Sequence, residues 1–220
     1  MYRNQRSINW GVDSAAAVTQ ELYECVTSSY GQPDFWGRYL TTIENVCDGL
    51  TPEEIHFIRD QGMKIMPIYN NFSEAVGERA GAVAARNAIF QARRLGILEG
   101  SFIFATIENF FNVDPAWLIA WSDAFYTSPY RPGFLGDPVE GGFNEAYCNA
   151  SEASESIRQQ AVIFSAEPEP GTTPKNRIPR YNPARPSCDA NVWAWQYGRD
   201  SENCPIDTVL METRLYEALG

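Results

Sequence analysis

Apolar positions along the chain fall into short runs separated by longer amphipathic stretches, and the two patterns alternate from end to end. Short apolar runs bounded by polar turns read as strands buried on both faces, the form parallel strands take when crossover helices cover them. The runs predict strands at Ile8 to Asp13, Asp34 to Leu40, Lys64 to Tyr69, Ser101 to Ile107, Arg131 to Leu135, Gln160 to Ser165, Val192 to Tyr197 and Ile206 to Met211. Between the second and third, Thr51-Pro52-Glu53-Glu54 supplies an N-cap, a first-turn proline and a capping-box glutamate, with Ile55 and Ile58 on one face. Val76 to Leu95 is alanine-rich and stops at Gly96, while Asp114-Pro115 opens a helix whose Trp117, Leu118, Trp121 and Phe125 share a face. Gly142 to Gln159 and Thr213 to Leu219 are the remaining helical stretches named by pattern. The connection between the seventh and eighth strands is too short for a full helix. Together these elements predict an α/β fold, a (β/α)8 TIM-barrel-like domain over 1–220, somewhat small and irregular in its last units.

One stretch breaks the alternation. Residues 166–188 hold Pro168, Pro170, Pro174, Pro179, Pro183 and Pro186, six of the fourteen prolines, so the segment is expected to be extended and short of hydrogen-bond donors. A lid, a glycan-contacting rim, an oligomer contact or a plain surface excursion all fit such an insertion after the sixth strand.

Composition narrows the partners. The chain carries 28 acidic and 17 basic residues, a formal charge of -11, with no Lys/Arg block, which argues against nucleic acid. No apolar run reaches the roughly 20 residues of a membrane span, so membrane insertion is not expected, and Met1 to Trp10 is polar and basic without the apolar stretch of a signal peptide. Cys25, Cys47, Cys148, Cys188 and Cys204 show no close C-x-x-C spacing, leaving a zinc ribbon unsupported; Cys188 with Cys204 and Cys25 with Cys47 are conceivable pairs among several. His56 is the sole histidine and falls on the second helix, away from the strand ends, so a serine or cysteine triad lacks its base. Phosphate-cradling and zinc-protease motifs are also missing, and neither a cofactor nor a metal is called for.

The candidate chemistry is carboxylate chemistry. The run from Ser101 to Ile107 must be buried, yet it ends in Glu108. A charge at the edge of an apolar core costs several kcal/mol unless it is paired or protonated, which suits a proton donor. In a barrel all C-terminal strand ends meet at one mouth, bringing together Asp13, Glu108, Asp137, Glu167 and Asp207 from distant parts of the chain. Two such carboxyls, one protonated and one ionised, are what glycoside hydrolysis requires. Aromatics expected at the same mouth are Trp36, Tyr39, Tyr69, Tyr130, Trp193 and Trp195, whose flat faces could stack on sugar rings, although each could equally be core.

Trp10-Gly11-Val12-Asp13, Phe104-Ala105-Thr106-Ile107-Glu108 and Val192-Trp193-Ala194-Trp195-Gln196-Tyr197 with Pro205-Ile206-Asp207 resemble the family-25 lysozymes and a related glycoside-hydrolase-like domain long described as a domain of unknown function. Gly37-Arg38-Tyr39-Leu40, Leu50-Thr51-Pro52-Glu53-Glu54 and the stretch from Gly62 to Tyr69 are closer to the latter. The resemblance implies a (β/α)8-like barrel that cleaves, or descends from an enzyme that cleaves, peptidoglycan or a similar aminoglycan. It implies Glu108 as general acid, Asp13 as the strand-one aspartate and Asp207 as the late one, with Glu167 near a further acidic position. Thr106 departs from the lysozyme pattern, which has an aspartate there. A hydroxyl cannot hold negative charge against an oxocarbenium ion at neutral pH. Either Asp13 or Glu167 takes that part, or the barrel only binds glycan, or it serves as a structural or assembly domain with oligomer or particle contacts.

On this reading the catalytic candidates are Glu108, Asp13 and Glu167, and the substrate-binding ones are Tyr39, Tyr69, Asp137, Trp195, Gln196 and Asp207. The expected location is extracellular or at the cell envelope.

Overall fold

The computed structural model describes residues 8–219; Met1 to Ser7, read above as polar and basic, lie outside the described residues. Eight strands close into one barrel in chain order. They are β1 (Ile8–Ser14), β2 (Phe35–Tyr39), β3 (Lys64–Tyr69), β4 (Phe102–Ile107), β5 (Arg131–Gly136), β6 (Val162–Ser165), β7 (Val192–Gly198) and β8 (Asp207–Glu212). From β1 to β7 successive strands pair in parallel, but β8 runs antiparallel to both β7 and β1. The reason is the short link from Gly198 to Asp207: a parallel return needs a dozen or more residues, and an antiparallel one needs only a turn. As a result the start of β8, not its end, lies at the mouth where the other strands finish.

Helices α1 (Gln20–Ser29), α2 (Pro52–Asp60), α3 (Glu78–Arg94) and α4 (Pro115–Ala124) connect the early strands. Their starts are fixed by side-chain caps. Thr19 accepts from the Leu22 N–H, Thr51 from Glu54, and Asp114 from Trp117, with Pro52 and Pro115 in the first turns. The expected helix over 142–159 is two pieces, α5 (Phe143–Ala153) and α6 (Glu155–Gln160), broken at Ser154, whose extended backbone (φ -134°, ψ 124°) ends one and starts the other. Serine is a weak helix former and a good junction.

Two apolar layers result. Outside the strands, Trp36, Tyr69, Trp117, Trp121 and Trp195 pack against the helices and loops. Inside, Phe35, Met66, Phe102, Phe104 and Phe164 fill the barrel, and Leu215 of α7 (Thr213–Ala218) with Leu219 just after it closes the lower end. The lower half of the barrel is therefore solid, leaving only the upper end open to polar chemistry.

The proline-rich segment reaches the mouth of the barrel at Ala166. It runs down the outside of β7 in the place a crossover helix would occupy, with a single 3-10 turn at Lys175–Arg177. At the top, the Gly171 N–H donates to Tyr197 O at 2.8 Å; at the bottom, Lys175 Nζ meets Asp34 Oδ1 at 2.7 Å. Between them the Tyr197 hydroxyl donates to Thr173 O and accepts from Trp10 Nε1. A Cβ at Gly198 would lie 2.3 Å from Thr172 N, so the strap passes too close for any side chain there. The disulfides are Cys25–Cys204 and Cys148–Cys188, differing from both pairings weighed on sequence, and Cys47 is a buried free thiol. The first pins the β7–β8 turn to α1 and the second pins the end of the strap to α5.

Candidate active site

At the mouth, a cavity of about 190 Å³ opens between the ends of β2, β4, β5 and β7 and the start of β8. Side chains reach it by the two-residue alternation of strands. On β4, Phe102, Phe104 and Thr106 share the inner face, so Thr106 tops the filled barrel and lines the cleft. Glu108 follows immediately, half-buried, and its carboxylate has no hydrogen-bond partner among the described residues. Tyr39 at the end of β2 is the one aromatic ring among the described lining residues. Burial, and then the Asp13 and Glu108 carboxylates, push its phenol upward, so it stays a neutral hydroxyl.

Asp13 and Asp207 are directly opposed across the antiparallel β1–β8 pair. Gln196 bridges them: its Nε2 donates to Asp13 at 3.1 and 3.3 Å and to Asp207 Oδ2 at 3.0 Å. Arg199 donates in turn to Gln196 Oε1 at 3.1 and 3.3 Å, fixing which end of the amide faces the acids. Asp207 Oδ1 accepts the Asp200 N–H at 2.7 Å. Burial is the main reason both carboxyls are raised; Asp207 is pushed up to about 6, and Asp13, with the Asp207 charge opposite it, lies well above the ordinary carboxylate value. Asp207 lines the cleft, whereas Asp13 is buried below it in space left by Gly37, where a Cβ would sit 2.6 Å from that of Asp13. Of the two opposed carboxyls, Asp207 is the one that lines the cleft, and Asp13, read on sequence as the ionised partner, lies behind it against Gln196.

Asp137 lines the cleft from the turn after β5, where its Oδ1 accepts the N–H groups of Val139 and Glu140. Glu167 does not line it. The residue before it, Ala166, does, while Glu167 begins the strap and its backbone carbonyl accepts Trp195 Nε1 at 2.9 Å. Tyr69 and Trp195 also lie elsewhere, on the outer faces of their strands: Tyr69 stacks on Trp121 at 6.1 Å, and Trp195 packs edge-on to Tyr181. Trp36, likewise outward, donates to Ser14 Oγ. Tyr130 and Trp193 sit toward the opposite end, bonded to Ile97 O and stacked under Arg214 respectively. The mouth is therefore polar and acidic, with little aromatic surface. Arg199, Asp200 and Asn109 line the cleft and were not singled out on sequence; their signal was position alone, directly after the strand ends of β7 and β4. Exposed His56 on α2 takes no part.

The arrangement places the unpartnered Glu108 carboxylate, the Asp137 and Asp207 carboxylates, each held by two donors, the Asp200 carboxylate, a neutral phenol and a free hydroxyl around one small cavity. Such a set can donate a proton to an ether oxygen and face a developing positive charge.

A family model described as the Rv2525c-like, glycoside hydrolase-like domain matches residues 31–140, which include Tyr39, Thr106, Glu108 and Asp137. No curated protein matches the chain. Among solved structures, an uncharacterized B. stearothermophilus protein is 54% identical, with a TM-score of 0.94 over 96% of this chain and 99% of that one. The Mycobacterium tuberculosis Tat-secreted protein Rv2525c, crystallised with L-tartrate, is 12% identical with a TM-score of 0.62 over 93% of this chain and 96% of that one. The Clostridium perfringens spore cortex lytic enzyme SleM is 11% identical with a TM-score of 0.64 over 99% of this chain and 71% of that one. At such low identity the last two share the fold with this chain. The family match spans half of the chain and carries the strand-four glutamate of the cleft: the protein belongs to the Rv2525c-like, glycoside hydrolase-like domain family.

Proposed function

We propose that this barrel cleaves peptidoglycan or a related aminoglycan at the cell envelope, with Glu108 as general acid and Asp207 as the ionised carboxylate. The observation that carries this reading is the pairing in one cleft of an unpartnered Glu108 with an Asp207 held in place by the Asp200 N–H and the Gln196 amide. Asp13 acts through Gln196 as a positioning residue, Tyr39 and Asp137 meet the sugar from either side of the cleft, and Arg199 holds the Gln196 amide in register. Two disulfides suit an oxidising location outside the cytoplasm. Asp207 must be ionised to face an oxocarbenium ion and Glu108 protonated to donate, so the pH profile has two limbs, and the rising one, set by Asp207, lies near 6.

The test is release of reducing ends from purified peptidoglycan, with chitin as a comparison, by the wild type beside Glu108→Gln. The expected result is release that falls about a hundredfold or more in the variant. Absence of release, with the glycan still retained by both proteins, overturns catalysis and leaves a glycan-binding barrel. Thr106 is the observation favouring that second reading, because it places a hydroxyl where the lysozymes carry an acid.

A further inference from the structure

Four carboxylates line the cleft, those of Glu108, Asp137, Asp200 and Asp207. Arg199 is the one cationic side chain among the described lining residues, and it is already engaged with Gln196 Oε1. The cleft thus presents uncompensated negative charge to whatever enters it, and the chain's net charge of -11 adds attraction of the same sign at longer range. A metal ion is a poor occupant. Among the described residues no three acidic, cysteine or histidine side chains converge as they would around one. The charges are instead spread along a cavity the size of one or two small rings, which suits an organic cation.

A second observation points to a ligand with polar groups. Thr106 is only 6% exposed, yet its Oγ1 has no hydrogen-bond partner among the described residues, and it lines this same cleft. A buried hydroxyl left unsatisfied costs about 1–3 kcal/mol, which a ligand hydroxyl or amine placed against it would recover.

We infer that the cleft selects an amino sugar whose amine is free and protonated over the N-acylated form. This rests on the glycan reading above and names the glycan's chemical class. An ammonium group donates three hydrogen bonds and carries the charge that these acids lack a partner for, whereas an acetamide is neutral and bulkier. The selecting side chains are Asp137 and Asp200, which flank Glu108 and Asp207 without being needed for proton transfer.

Titration calorimetry of the full chain with a glucosamine hexamer and an N-acetylglucosamine hexamer tests this, at low salt and at a mildly acidic pH where the sugar amine is protonated. The free-amine hexamer is expected to bind about tenfold tighter, with the preference shrinking as salt is added. Asparagine at both selecting positions keeps the backbone: Asp137→Asn retains the Oδ1 acceptor for the turn, and Asp200, with φ at 53°, sits in the left-handed region that asparagine tolerates. The double variant Asp137→Asn, Asp200→Asn is expected to lose most of the preference, read as the ratio of its affinities for the two hexamers; a ratio unchanged from the wild type overturns the inference. Equal or tighter wild-type binding of the acetylated hexamer overturns the inference and leaves the glycan reading standing. Binding of neither hexamer overturns both, and hexalysine bound as tightly as the glucosamine hexamer overturns the inference by showing attraction to charge alone.

Discussion

Helices α3 and α4 cover one side of the barrel, where α4 adds to a continuous run of rings: Tyr69 stacks on Trp121, Trp121 stacks on Trp117 at 5.5 Å, and Phe72 packs tilted against Trp117 at 4.9 Å. On the opposite side, among the described residues, no crossover α-helix connects β6 to β7. A proline-rich strap covers β7, tied by backbone bonds at Gly171 and Lys175, and disulfides anchor the strap's end and the β7–β8 turn. The first side is held by buried area, which needs no particular residue so long as volume is kept. The second is held by specific links, because an extended segment without its own hydrogen-bond ladder buries too little to hold itself. Gln196, Arg199, Asp200 and Asp207 all belong to this linked side, so half of the candidate site depends on restraints rather than on packing.

The most severe change is expected on the packed side. Trp121→Ala removes a fully buried ring and should cost about 3–5 kcal/mol, read as a lowered midpoint in urea, with the cavity at the mouth unaltered in proteins that remain folded. A smaller loss would mean that α4 repacks and that the two sides are less different than drawn here. Next comes the joint replacement Cys148→Ser, Cys188→Ser, which opens a link of sequence separation 40 and should cost about 2–4 kcal/mol. Proteolysis should then begin within 166–191, and early cutting elsewhere would contradict a strap that depends on its anchor.

The smallest effect sharpens the comparison at the site itself. Asp207 is pushed from an ordinary 3.8 up to about 6, so the native state keeps a proton that the unfolded chain gives up over that interval. Burial of this charge therefore costs stability as pH rises from about 4 to about 6, and the cost persists above it. Asp207→Asn should gain about 2 kcal/mol on the wild type between pH 4 and pH 7, whatever its absolute stability. Thermal midpoints measured across that range check it; a constant difference would show that Asp207 is not desolvated.

Much of the fold could be read from the chain. All eight apolar runs are strands, and the caps at Thr51 and Asp114 start helices where their side chains imply. The facing of individual residues could not be read, for a physical reason: strands buried on both sides lack the apolar–polar alternation that separates inside from outside. Tyr39 and Tyr69 both end strands, yet one points into the cleft and the other into the helix layer. Likewise Gln196 turns inward and its neighbour Trp195 outward. The cross-strand opposition of Asp13 and Asp207 was hidden too, since it follows from the reversed direction of β8, for which the short Gly198–Asp207 link was the only local sign. Glu108 was found because a charge closing a fully apolar run is visible without knowing which way anything points.

The Cys25–Cys204 link joins residues separated by 179 positions, with the Cys148–Cys188 link nested inside it. Most of the polypeptide is thereby a covalent ring. A single cut in any loop between positions 25 and 204 leaves both pieces attached to each other, with β8 still seated between β7 and β1. In a surrounding rich in proteases, the molecule can be nicked without coming apart, and the pieces separate only after reduction.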